Sequence, residues 1–136
     1  MTEIEKAYIA GIIDAEGNIT LQRFQANEYP SPCISVTSTT LNLLTHLKQI
    51  IGYGDIHYTK DHNMKNFKDF YIYKIKHSNA INLLKDIYPY LMVEIKKQRA
   101  SLIINKYNDL NPNGHYTPDI LKSRLEFYDE FINIIE

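Results

Sequence analysis

Apolar residues along the chain switch between a helical and a two-residue spacing, and the switches mark its elements. Thr2 and Glu5 have the spacing of a capping box, which predicts a helix from about Glu3 to Ala15 with Gly17 ending it. Ile19 and Leu21 then alternate with Thr20 and Gln22, a strand whose pattern blurs at Arg23-Phe24. Pro30 and Pro32 flank a turn. Beyond it, Ile34 and Val36 alternate with Cys33, Ser35 and Thr37, a second strand expected to pair with the first as a hairpin. Thr39 or Thr40 caps a helix carrying Leu43, Leu44, Leu47, Ile50 and Ile51, and Gly52-Tyr53-Gly54 stops it. A short strand from Asp55 to Thr59, a polar loop over 60–66 and a longer strand from Phe67 to Lys76 follow. Ser78 caps a helix ending near Pro89, and another covers about Val93 to Asn108. After a loop at Asn111 to Gly114, Thr117-Pro118-Asp119 opens a last helix to about Ile135. The order α-β-β-α-β-β-α-α-α predicts an α+β fold with an antiparallel sheet, as a single domain over residues 1–136.

Composition adds exclusions. With 44% hydrophobic and 23% charged residues the chain is globular in type, and its longest apolar run is far short of a membrane span. Cys33 is the only cysteine, which leaves no internal disulfide and no multi-cysteine zinc site. The five histidines lack a metal-ligand spacing. The first residues lack the basic region of a signal peptide, so a soluble, intracellular protein is expected. Net charge is −1, but it is unevenly spread. Residues 1–47 carry net −3, residues 48–106 net +6 and residues 107–136 net −4. A basic block between acidic ends is the footprint that phosphate binding needs, although lysines scattered for solubility produce the same count.

The segment Tyr8-Ile9-Ala10-Gly11-Ile12-Ile13-Asp14-Ala15-Glu16-Gly17 carries the candidate chemistry. Asp14 and Glu16 fall in the last turn of a helix, where unpaired carbonyls already make the field negative and carboxylates are disfavoured by up to about 1 kcal/mol each. A local rule broken in this way marks function, and a hard divalent cation would relieve the repulsion. Ala7 and Gly11, one helical turn apart with Ala10 beside them, present a small face that admits a second helix at close range.

Ile9 to Gly17 resembles the signature of the LAGLIDADG homing endonucleases, with Glu16 where the literal motif has Asp. The order α-β-β-α-β-β-α also fits that family's core and extends the resemblance to most of the chain. A single motif copy implies a homodimer with the motif helices packed at its axis, which places Ala7, Ala10, Gly11 and Asp14 at the interface. The resemblance implies that Glu16 and the Ala15 carbonyl hold a catalytic Mg²⁺ or other divalent cation, and that Asp14 is mainly structural. The family's basic residue matches Lys96 best, with Lys97 open. Its polar residue at the end of the second strand falls on Ser38 or Thr39.

If Ile19, Leu21, Ile34, Val36, Phe70 and Ile72 face the helices, the other sheet face carries Thr20, Gln22, Cys33, Ser35, Thr37, Asp69, Tyr71 and Tyr73, with His57 and Thr59. Arg23 lies at the strand end. Hydroxyl and amide groups of this kind suit base edges in the major groove. The expected activity is sequence-specific cleavage of both strands of a long pseudo-palindromic DNA, with neither a small-molecule substrate nor a membrane partner. The rival is a catalytically silent relative, an intron RNA maturase or a DNA-binding regulator, since fold does not fix function. The resemblance places the protein in the cytoplasm, or in an organelle if an organellar intron encodes it.

Overall fold

A computed structural model describes residues 1–24, 29–60, 69–110 and 117–134. Helix α1 (Glu3–Glu16) starts on the expected capping box, with Thr2 and Glu5 each accepting from the other's backbone N–H. It runs without a loop into β1 (Gly17–Gln22). Gly17 is extended, at φ −91°, and does not end the helix by turning left-handed. Its small size is what the junction requires, because a Cβ there would sit 2.8 Å from the Ile13 Cα. Strand β2 (Ser31–Ser38) begins earlier than its alternation suggests. Pro32 belongs to the strand, opposite Leu21, and lies outside the β2–β4 register.

Helix α2 (Leu41–Ile51) ends on Gly52 in the left-handed region, φ 94°. Strands β3 (Asp55–Thr59) and β4 (Phe70–Lys76) follow, and β4 enters α3 (His77–Ile87) directly, with Lys76 rather than Ser78 at the cap position. Phe67, expected at the start of β4, and the loop at Asn111 to Gly114 lie outside the described residues. After a 3₁₀ turn at Tyr88–Tyr90 comes α4 (Glu94–Leu102). The single helix expected to Asn108 instead passes into a π turn at Ile103–Tyr107 and a 3₁₀ turn at Asn108–Leu110. Helix α5 (Pro118–Ile132) opens on Thr117, whose hydroxyl accepts from the Ile120 N–H.

The four strands form one antiparallel sheet in the order β1-β2-β4-β3. Ile19, Ile34 and Ile75 make one buried row across it, and Val36, Tyr73 and Ile56 the next. These rows pack against Ile9 and Ile13 of α1, Leu44 and Leu47 of α2 and the apolar stripe of α3. Among the described residues the helices thus cover one face of the sheet and leave the other open. Among the described residues no helix is long and apolar enough to cross a membrane.

Candidate catalytic site and nucleic-acid interface

The end of α1 and the start of α4 are joined reciprocally. The Asp14 carboxylate accepts from the backbone N–H groups of Met92 at 2.8 Å and Val93 at 3.2 Å. Its charge therefore sits at the N-terminus of α4, where it is favoured. In return Lys96 reaches back from α4 and donates to the carbonyls of Ile13 at 2.7 Å and Asp14 at 2.5 Å. That supplies the cation that the last turn of α1 lacks in its own sequence. The two acids of the motif therefore differ in kind. Asp14 is compensated within the chain. Glu16 is exposed and has no hydrogen-bond or ion-pair partner among the described residues.

Glu16, Ala15 and Lys96 line one open depression of about 520 Å³, together with Asn18 and Arg99. Lys97, the alternative to Lys96, faces a different groove, beside Glu94, Gln98 and Lys106. The structure therefore brings Lys96, not Lys97, to Glu16. Lys96 spends two N–H donors on carbonyls and keeps the third. Arg99 is a site residue that sequence reasoning missed. The available signal was its i, i+3 spacing from Lys96, which puts both cations on one side of α4. Ser38 ends the interior strand β2 at the end of the sheet where Gly17 starts β1, since Gly17 lies opposite Val36. Its hydroxyl accepts from the Thr40 N–H at 3.0 Å, so it shapes the entry to α2.

The open sheet face is built in rows. Asn18, Ser35, Lys74 and Asp55 cross all four strands. Thr20, Cys33 and Lys76 form a second row, and Thr37, Ile72 and His57 a third. Phe70 pairs with Thr59, and Arg23 is exposed just past β1. Thr20, Gln22, Cys33, Ser35, Thr37, His57 and Thr59 are thus on the expected face. Cys33 and Ser35 are covered by their neighbours, and burial pushes the Cys33 thiol pKa up against the opposing pull of Lys74 and Lys76.

Five placements on the sheet are corrected. Tyr71 and Tyr73 lie on the helix side, with Phe70 and Ile72 on the open face in their place. Tyr73 is fully buried and donates its hydroxyl to the Tyr53 carbonyl. Asp69, just before β4, accepts from the Tyr58 hydroxyl and shares the parity of Tyr71. The physical reason is that a tyrosine ring buries as much surface as an isoleucine, whereas a lysine does not enter a core. Lys74 and Lys76 therefore choose the solvent face for every even position of β4, and sequence reasoning overlooked both.

On α1, Ala7 and Gly11 are exposed, and a Cβ at Gly11 would meet nothing within 4 Å. Ala10 belongs to the chain's own core at 0% exposure and is not available to a partner, a correction to its expected interface role. Asp14 is half-buried, with its carboxylate turned to α4. The surface around Gly11 is apolar instead through Tyr8 and Ile4, and Met92 at the head of α4 is likewise exposed; Ile4 and Met92 are each 82% exposed.

A LAGLIDADG endonuclease family profile matches residues 9–108. Among curated proteins no sequence matches significantly. Among solved structures, the homing endonuclease I-CvuI in complex with its target in the presence of calcium is 20% identical, with 98% of this chain and 83% of that one covered at a TM-score of 0.75. The archaeal intron-encoded homing endonuclease I-Vdi141I complexed with DNA is 23% identical, with 98% and 86% covered at a TM-score of 0.74. I-SmaMI bound to an uncleaved DNA target in the presence of calcium ions is 22% identical, with 96% and 46% covered at 0.69. The profile spans most of the sequence and begins in the helix that carries Asp14 and Glu16, so this chain belongs to the LAGLIDADG endonuclease family.

Proposed function

We propose that the protein is a divalent-metal-dependent endonuclease that cuts both strands of a long pseudo-palindromic DNA as a homodimer. The observation that carries this reading is the unpartnered Glu16 carboxylate beside Lys96 at the rim of an open, basic sheet face. A chain that only bound nucleic acid would have no need to keep an uncompensated carboxylate at a helix C-terminus. This favours cleavage over a silent maturase or regulator.

The donors fit a hard cation, being carboxylate and carbonyl oxygens at Glu16 and Ala15. Among the described residues no three acidic, histidine or cysteine side chains converge. One chain thus supplies one carboxylate, and a second copy with its α1 against the first supplies another. A divalent cation bound there would polarise a phosphoryl oxygen, activate water and stabilise the leaving 3′ oxygen. Lys96, held by two carbonyls, sets a fixed positive charge beside the phosphate and offsets negative charge that grows during hydrolysis. Ser38, at the same end of the sheet, is proposed as the polar group that orients water.

The open face reads sequence. Thr20, Gln22, Arg23, Thr37, His57 and Thr59 offer donors and acceptors to base edges, while Lys74 and Lys76 meet phosphates. The eight residues of β2 span about 27 Å, or roughly eight base pairs. Two copies plus the centre would cover on the order of twenty. The test is Glu16→Gln, which should abolish cleavage and leave DNA binding within about tenfold. Double-strand cleavage by that variant at saturating Mg²⁺ would remove Glu16 from the mechanism.

A further inference from the structure

The depression beside Glu16 holds a cation that the described residues leave partly unsatisfied. Arg99 lines it with Lys96 and Glu16. One Arg99 Nη donates to the Ile134 carbonyl at 3.0 Å, and the guanidinium lies over the Phe131 ring, 5.8 Å from its centroid. Its Nε is buried with no hydrogen-bond partner. Among the described residues Arg99 forms no ion pair with a carboxylate. A guanidinium has five N–H donors, so most of its capacity is left over. Because Nε is closed to solvent, a ligand in the depression would be met by the Nη donors that Ile134 leaves unused, and not by Nε. Lys96 differs, because its ammonium is already engaged by the two carbonyls of α1.

We propose that Arg99 is a phosphate-binding residue of the site, donating to the non-bridging oxygens of the DNA backbone phosphate that enters beside Glu16. The assignment rests on the reading of this depression as the place where the DNA backbone lies. A planar guanidinium presents paired donors to two phosphate oxygens, which an ammonium cannot do. The Ile134 carbonyl and the Phe131 ring hold the side chain in place, so the end of α5 fixes the cation that contacts the substrate.

The test is binding without metal, in EDTA, to a duplex of random sequence, measured as a function of salt. Each neutralised phosphate contributes about 0.9 to the slope of log affinity against log salt. Arg99→Gln should lower that slope by about 0.9 per chain, and Arg99→Lys should restore it. A wild-type slope in Arg99→Gln, accompanied only by a lower Tm, would make Arg99 an anchor for α5 and overturn the proposal. If Arg99→Gln does not fold, the wild-type protein decides by arginine modification with phenylglyoxal, read by peptide mass spectrometry. Saturating DNA should then protect Arg99, and modification unchanged by DNA would overturn it. Because these readouts need no cleavage, they separate from the catalytic reading. A reduced slope in Arg99→Gln with full cutting by Glu16→Gln would sink the metal site alone. An unchanged slope with cutting lost in Glu16→Gln would sink Arg99 alone.

Discussion

Replacing Gly11 with leucine should move folding and assembly in opposite directions. Gly11 lies inside α1, exposed, with nothing of its own chain within 4 Å of a Cβ placed there. In the isolated chain the change therefore adds only helix propensity, about 0.8–1 kcal/mol in favour of the folded state. In the proposed homodimer the same position faces the partner's α1. Packed helices sit 8–10 Å apart, and a glycine surface sets the short end of that range. Overpacking costs about 1–3 kcal/mol per site, and the two-fold axis doubles it to about 2–6 kcal/mol. The dimer dissociation constant should therefore rise between about thirty-fold and twenty-thousand-fold. Sedimentation velocity across a concentration series reads the assembly, and far-ultraviolet circular dichroism reads the fold. Gly11→Leu should stay folded, sediment as a monomer where the wild type is a dimer, and lose double-strand cleavage. A Gly11→Leu chain that dimerises and cuts like the wild type would refute the placement of α1 at the axis.

Asp14→Ala removes the acceptor of two N–H groups at the head of α4, and should cost about 1–2 kcal/mol and lower the Tm by roughly 3–8 °C. An unchanged Tm would mean that the join between α1 and α4 contributes nothing. Gly17→Ala pushes a methyl against the Ile13 backbone and should destabilise by about 1–3 kcal/mol; denaturant unfolding checks it, and a neutral result would show that the junction has room. Cys33 is buried and its thiol pKa is raised. The native thiol is therefore shielded and less ionised than in the unfolded chain at the same pH, and it should react with a thiol reagent more slowly than the unfolded chain. Equal rates would place Cys33 at an open surface.

Where one residue type decides an element, the sequence was readable. The Thr2–Glu5 box, the left-handed Gly52 and Thr117-Pro118 each act locally, and the structure places the corresponding caps at those residues. Strand β4 was misread because Phe70 to Tyr73 is apolar on both parities, so hydrophobic periodicity alone could not choose a face. The two lysines that follow do choose it. Glu16 was legible through the broken charge rule at the end of α1. The cation that caps the carbonyls at the end of α1 was not, because Lys96 is eighty residues away in sequence and only the packing of α4 on α1 brings it there. The same distance hid the role of Asp14, whose partners are backbone N–H groups with no sequence signature. Ala10 looked like interface because small residues serve close helix contact on either side of a helix. Which side meets the chain's own core is set by Ile9 and Ile13, which flank Ala10 on the buried stripe.

The central claim is that two copies of this chain place two Glu16 carboxylates at one axis and cut DNA there. Selection of cleaved molecules from a randomised duplex library, run in parallel with Mg²⁺ and with EDTA, tests it most directly. The account predicts that Mg²⁺ alone enriches a site with two-fold symmetry, on the order of twenty base pairs long, cut on both strands about its centre. Enrichment of a site without two-fold symmetry, or of the same cut site by Glu16→Gln, would contradict it.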